Sequence, residues 1–181
     1  MLILASASPR RHELLLGAGI PHLVRPASIP EQRHPGESPA EFVQRIARQK
    51  ADAVSRESGD IVLGADTVVC LGDEVFGKPA GDEDARRMLR CLSGREHSVY
   101  TGICILYNGG CIADVACTGV QFAELSNQEI DEYVRTGEPR DKAGAYGIQG
   151  LASRFVSSIT GCYHNVVGLP VSLVYRYLKV L

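Results

Sequence analysis

Short apolar runs and helix-period runs alternate along this chain, and together they predict an α/β protein. Leu2-Ile3-Leu4-Ala5 has the length and composition of a short buried strand. Ser8-Pro9 then opens a helical run through Glu13-Leu14-Leu15-Leu16, since a serine hydroxyl caps free N–H groups and proline suits the first helical position. Gly17 and Gly19 end that helix. A second strand is expected near residues 22–24, followed by a polar loop over 26–37. Ser38-Pro39-Ala40-Glu41 has the spacing of a capping box, and behind it Phe42, Val43, Ile46, Ala47, Ala51 and Val54 recur at helical spacing.

Residues 61–64 read as a core strand that delivers Ala65-Asp66-Thr67 at its end, and 68–76 as a hairpin turning at Gly72-Asp73. Asp82 is placed to cap a helix carrying Ala85, Met88, Leu89 and Leu92, stopped by Ser93-Gly94. Residues 97–107 and 111–122 form two long strands around an Asn108-Gly109-Gly110 turn. Ser126-Asn127-Gln128-Glu129 is a second capping box, for a helix ending at Thr136-Gly137. A glycine-rich stretch at 144–150, a strand at 155–159 and a helix begun by Pro170, with Leu173, Val174, Tyr177 and Leu178, complete the chain. The expected architecture is a mixed twisted β-sheet flanked by helices, in one domain over residues 1–181.

Composition excludes several classes of partner. The 181 residues are 45% hydrophobic and 22% charged, as in soluble globular chains, so disorder is not expected. A net charge of -2 offers no broad basic field to a nucleic acid polymer or an anionic membrane. Trp is absent and aromatics make up only 6%, which removes a base-stacking platform. No apolar run approaches the roughly 18 residues of a membrane span. Met1 runs into Leu2-Ile3-Leu4 and then Pro9-Arg10-Arg11, unlike a signal peptide, so the cytoplasm is the expected compartment. The six cysteines include no C-x-x-C pair, so reduced thiols are expected, with Cys104, Cys111 and Cys117 acting as small hydrophobes in strands. They also lack the paired Cys/His spacing of a zinc site, and His97 and His164 read as ordinary polar residues. The strands over 97–122 are long enough to pair across a homodimer.

Three segments carry candidate chemistry. Ser6-Ala7-Ser8-Pro9-Arg10-Arg11 joins a strand to a helix start, where exposed N–H groups, two hydroxyls and two guanidinium forks suit a phosphate. Gly64-Ala65-Asp66-Thr67 puts a carboxylate where open α/β sheets place their ligands. With Glu31 in the polar loop, Lys50 late in the second helix and Lys78 after the hairpin, Asp66 has the groups to hold a divalent cation and a polyphosphate. Asp141-Lys142-Ala143-Gly144-Ala145-Tyr146-Gly147-Ile148-Gln149-Gly150 lets a backbone approach a ligand, with Tyr146 as an aromatic face and Gln149 as an amide. It matches neither a Walker A loop nor a G-x-G-x-x-G.

These segments together resemble the Maf proteins, a family of nucleoside triphosphate pyrophosphatases. Ser6-Ala7-Ser8-Pro9-Arg10-Arg11-His12-Glu13-Leu14-Leu15 is similar to the family's opening signature. Gly64-Ala65-Asp66-Thr67-Val68-Val69, Lys78-Pro79, Leu92-Ser93-Gly94 with His97, Val99, Thr101 and Gly102, Gly137-Glu138-Pro139 and Asn165-Val166-Val167-Gly168-Leu169-Pro170 follow in order. The stretch Asp141-Lys142-Ala143-Gly144-Ala145-Tyr146-Gly147-Ile148-Gln149-Gly150 resembles the subgroup acting on dTTP and UTP, as against the one acting on 7-methyl-GTP.

The resemblance implies two lobes around a deep cleft, similar to the inosine triphosphate pyrophosphatases. It implies hydrolysis between the α- and β-phosphates of dTTP, UTP and modified pyrimidine nucleotides, with a divalent metal cation, Mg2+ or Mn2+. Asp66 takes the place of the catalytic proton acceptor, or of a metal holder beside Glu31. Ser8, Arg11, Lys50 and Lys78 take the places of phosphate contacts, and Arg10, Thr67 and Gln149 those linked to substrate choice. The rival implication is a nucleotide-binding regulator of septum formation that needs no turnover. Purine specificity is a third reading, which Gln149 and its loop disfavour.

Overall fold

The computed structural model describes residues 1–54 and 56–181. Seven strands form one mixed sheet: β1 (Leu2–Leu4), β2 (Leu23–Val24), β3 (Ile61–Leu71), β4 (Glu74–Phe76), β5 (Glu96–Tyr107), β6 (Gly110–Phe122) and β7 (Val156–Thr160). Their order is β2-β1-β3-β5-β6-β7, with β4 paired to β3. The helices are α1 (Pro9–Gly17), α2 (Pro39–Asp52), α3 (Asp82–Leu92), α4 (Asn127–Arg135), α5 (Tyr163–Val167) and α6 (Val171–Leu178). Among the described residues no helix is long and apolar enough to cross a membrane. The chain divides into two compact units: Met1–Thr67, Thr101–Ala116 and Gly168–Leu181 make the first, Val68–Tyr100 and Cys117–Val167 the second.

In the first unit β1 pairs in parallel with both β2 and β3, with Leu2 opposite Ile61 and Leu4 opposite Leu63. Strand alternation divides its apolar residues between two cores. Leu2, Leu4, Leu63 and Ala65 face one core, with Leu15 of α1 and Val174 of α6. Ile3, Ala5 and Val62 face the other, with Ala47 and Ala51 of α2. Helix α2 lies almost directly on the sheet. A Cβ at Gly64 would stand 2.0 Å from the Ala47 carbonyl oxygen, and one at Gly102 would stand 2.4 Å from Val43 backbone. Only glycine fits at either point.

The second unit packs Phe76, Met88, Leu89, Phe122, Tyr133, Tyr146 and Phe155 into one core under α3 and α4. Its rings meet edge to face, Phe122 with Tyr146 at 4.8 Å and Tyr133 with Phe155 at 5.3 Å. Both expected capping boxes are present, Ser38 with Glu41 at α2 and Ser126 with Glu129 at α4.

Several joints differ from the sequence expectation. β3 runs unbroken from Ile61 to Leu71, so Asp66 lies inside a strand and not at its end; Val68, Val69 and Cys70 carry the apolar run past the polar pair Asp66-Thr67. Asp82 is the first residue of α3, whose N-cap is Gly81; Asp84 instead accepts from the Ala80 amide at 3.0 Å. Ser8 is the N-cap residue of α1, but its hydroxyl makes no capping bond. The glycine-rich stretch expected over 144–150 is irregular and turn from 146 to 150, entered through a 3-10 turn at Ala143–Ala145 and left through another at Leu151–Phe155. Cys104 is buried, but Cys117 is exposed and Cys111 half-buried. β5 lies between β3 and β6, so of the two strands expected to pair across a homodimer it has no edge to offer.

Candidate functional site

The close approach of α2 to the sheet gathers charge at one point. Gly64 and Asp66, two apart on β3, share a face, and that face is the one α2 covers. Lys50 comes one turn after Ala47, the residue that touches Gly64, and its ammonium reaches Asp66 Oδ1 at 2.8 Å. The same Nζ meets Glu31 Oε1 at 2.7 Å, although Glu31 stands in the exposed loop between β2 and α2. Lys50 and Asp66 side chains are each 8% exposed. Burial pushes the Asp66 carboxyl above its ordinary range, against the opposing pull of Lys50 and Arg11. An acid so placed is a stronger proton acceptor than a surface aspartate.

Arg11 completes the cluster from α1. Its guanidinium is buried and held by four bonds: Nε donates to Gly168 O at 2.8 Å, Nη1 to Ser6 Oγ at 3.0 Å and Ala65 O at 2.9 Å, and Nη2 to Thr67 Oγ1 at 3.0 Å. A guanidinium has five N–H donors, and protein acceptors take four of them. Burial lowers the Arg11 pKa, and the Asp66 and Glu31 carboxylates oppose that fall. The Thr67 hydroxyl is also engaged by protein, meeting Thr101 Oγ1 at 2.9 Å and donating to Gly168 O at 3.3 Å.

The sequence reading placed Arg11, Glu31, Lys50, Asp66 and Thr67 in one site, and the first unit does bring them together. Ser8 and Arg10, both half-buried, sit at the start of the same α1. Lys78 and Gln149 belong to the second unit, and both are exposed. Two expectations change. Ser6, read as a phosphate ligand, is buried and accepts from Arg11 and from the Ser8 amide. Tyr146, read as an aromatic face for a ligand, is buried in the second core, where its hydroxyl meets His97 Nε2 at 2.8 Å.

Ser6, Thr101 and Gly168 were named in the sequence motifs, but their role in aiming Arg11 and Thr67 was not. A backbone carbonyl at Gly168 left no trace in residue type. Thr101, a buried threonine in an apolar strand, did leave one. His97, read as an ordinary polar residue, is a neutral core partner of Tyr146, its pKa lowered by burial from 6.5 to about 4.

The site offers a cation two carboxylates. Glu31 Oε1 and Asp66 Oδ1 both converge on the Lys50 ammonium, and hard oxygen donors suit a divalent ion that keeps waters and takes further oxygens from a polyphosphate. No larger group of His, Cys, Asp and Glu gathers as a metal cage among the described residues. The residues present fit a cation shared with a phosphate ligand.

A family model described as Maf-like protein matches residues 1–181. A dTTP/UTP pyrophosphatase of Koribacter versatilis (strain Ellin345) is 51% identical over 179 residues, covering 98% of this chain and 93% of the relative. Another dTTP/UTP pyrophosphatase, from Anaeromyxobacter dehalogenans (strain 2CP-C), is 53% identical over 175 residues, covering 94% and 89%. A third, from Bacillus cereus (strain AH820), is 47% identical over 179 residues, covering 98% and 94%.

Proposed function

The chain belongs to the Maf family, and on that premise we propose that it is a hydrolase taking dTTP and UTP to the nucleoside monophosphate and pyrophosphate. The reaction clears canonical and modified pyrimidine nucleotides from the cytoplasmic pool. The observation that carries this reading is the convergence of Glu31, Lys50, Asp66 and Arg11 in the first unit.

Phosphoryl transfer asks a protein mainly to position the nucleophile and to stabilise charge on the leaving group. Asp66 takes the proton of the attacking water, and burial fits it for that task. Lys50 and Arg11 supply fixed positive charge beside it. Ser8, whose hydroxyl is not used in capping α1, binds a phosphate oxygen. The family resemblance gives Lys78 the role of a further phosphate contact, and gives Arg10, Thr67 and Gln149 that of setting substrate choice. Glu31 and Asp66, whose carboxylates converge on Lys50, would hold a divalent cation, Mg2+ or Mn2+. When bound, such an ion supplies charge against the phosphates and acidifies water beside it.

The test is product analysis. UTP with Mg2+ or Mn2+ should give UMP and pyrophosphate in equal amounts, and EDTA should abolish turnover. UDP with orthophosphate would overturn the assignment of the cleaved bond. Tight binding of UTP without any product would favour the non-catalytic regulator.

A further inference from the structure

The segment carrying Gln149 is suspended from one glutamate. Glu138 Oε1 accepts from the Tyr133 hydroxyl at 2.9 Å, and its Oε2 accepts from the Leu151 amide at 3.1 Å. The same Tyr133 oxygen accepts from the Gly147 amide at 3.3 Å. The two ends of Gly147-Ile148-Gln149-Gly150-Leu151 therefore hang on a single Tyr133–Glu138 pair. The Gly150 amide also donates to Gly147 O at 3.0 Å, drawing the segment into a tight turn. Ile148 is buried below it, and Gln149 is exposed.

Both groups that meet the carboxylate are donors. Burial, reinforced by the facing carboxylate, raises the Tyr133 pKa, so the phenol keeps its proton. A carboxylate has acceptors only, whereas an amide would turn its NH2 group toward one of the two donors. Space is also filled. Gly150 has φ -97, which any residue adopts, yet a Cβ there would stand 2.3 Å from Glu138 Oε1. A Cβ at Gly147 would stand 2.6 Å from Lys142 Cε, and the Lys142 ammonium itself donates to Glu138 O at 2.7 Å. Upstream, Ala145 is held at φ 61, a left-handed conformation that an L-residue keeps only when its surroundings impose it.

From this ring of bonds we infer that Glu138 is a positioning residue for pyrimidine selectivity, acting by fixing the backbone that presents Gln149. The inference rests on the reading of Gln149 as the residue that meets the base. Uracil and thymine present an N–H between two carbonyls, and a glutamine amide offers an acceptor to the N–H and a donor to a carbonyl. Cytosine lacks that N–H, so the discrimination depends on where the amide is held. Displacing Gln149 leaves the base or the amide unpaired.

The experiment measures kcat/KM for UTP and CTP in wild type, Glu138→Gln, Gln149→Ala and the double variant, with melting curves for each. In Glu138→Gln the UTP to CTP ratio should fall roughly five- to a hundred-fold, the range expected for one mispaired buried polar group. In the Gln149→Ala background the same substitution should change the ratio no further. An equal loss on both nucleotides in Glu138→Gln, or an undiminished effect when Gln149 is already alanine, would overturn the role of Glu138. An unchanged ratio in Gln149→Ala alone would instead overturn the base-reading role of Gln149, and the inference with it. If Glu138→Gln does not fold, Tyr133→Phe removes both phenol links and keeps the ring; it should lower the ratio in the same direction, and an unchanged ratio counts against the proposal.

Discussion

The two units bury polar groups of opposite kinds. The first buries charge: Arg11, Lys50 and Asp66 are all buried, in contact with backbone, with each other and with one half-exposed carboxylate. The second buries neutral groups. His97 meets Tyr146, the Tyr133 hydroxyl accepts from the Gly147 amide while reaching out to the half-buried Glu138 carboxylate, and Asn165 Nδ2 donates to Val99 O and Thr118 Oγ1, each at 2.9 Å. Neutral polar groups cost less to bury, whereas buried ions lose hydration that their partners only partly replace. The contrast separates what a fold needs from what a ligand needs. Charge in the first unit is held against its own solvation preference, as expected of groups kept for a charged substrate.

The largest expected effect breaks the first half of that contrast. Because burial raises the Asp66 pKa above the ordinary 3.8, the ionised carboxylate is less favoured in the folded chain than in the unfolded one. Its contribution to stability is complete below the ordinary value and is lost as pH rises through the raised one, so above that raised value the charge is a liability to folding. Asp66→Asn should lower kcat by about 10²- to 10⁴-fold, the typical loss of a general base, while the melting temperature at pH 7 does not fall. A clear drop in melting temperature would make Asp66 a structural ion and remove the contrast.

Next in size is the titration of the second core. His97 is held at a pKa of about 4 by burial, against an ordinary 6.5, so the unfolded chain takes up a proton that the folded chain refuses between those values. Stability from this group is therefore present above the ordinary value and falls as pH drops toward the lowered one, by about 3 kcal/mol in all. His97→Gln keeps a polar partner for Tyr146 but does not titrate. Denaturant melts between pH 4 and 7 should show a flatter pH dependence in the variant than in the wild type. Identical slopes would mean that His97 is charged or exposed in solution.

How much of this could be read from sequence follows from the range of the interactions involved. The two capping boxes and the β3–β4 turn rest on contacts within a few residues, and Ser38-Glu41, Ser126-Glu129 and Gly72-Asp73 announced them. The continuity of β3 was hidden because Asp66-Thr67 interrupts an apolar run, and only burial by α2 and Arg11 makes a polar pair acceptable inside a strand. Glu31 was named only as a charge in the polar loop and then through family resemblance, since its loop has no periodicity, and its bond to Lys50 depends on how that loop folds back over α2. The pairing of His97 with Tyr146, 49 positions apart, and of Arg11 with Gly168, 157 apart, has no local signature at all.

The smallest expected effect sharpens the contrast at the level of one hydroxyl. Ser8 and Ser126 are both N-cap residues with extended backbone, and from sequence both are expected to close a helix start. In the second unit Ser126 Oγ does so, accepting from the Glu129 amide at 3.2 Å while the Glu129 carboxylate accepts from the Ser126 amide at 2.8 Å. In the first unit Ser8 Oγ makes no such bond, and its own amide donates to Ser6 Oγ at 3.2 Å. Ser126→Ala should therefore lower stability by about 1 kcal/mol, the usual value of a cap. Ser8→Ala should lower it by less than about half of that, and should instead raise KM for UTP through loss of a phosphate contact. Equilibrium denaturation of the two variants with UTP kinetics alongside reads both effects. Equal stability losses, with KM unchanged in Ser8→Ala, would show that the first unit uses its hydroxyl for folding just as the second does.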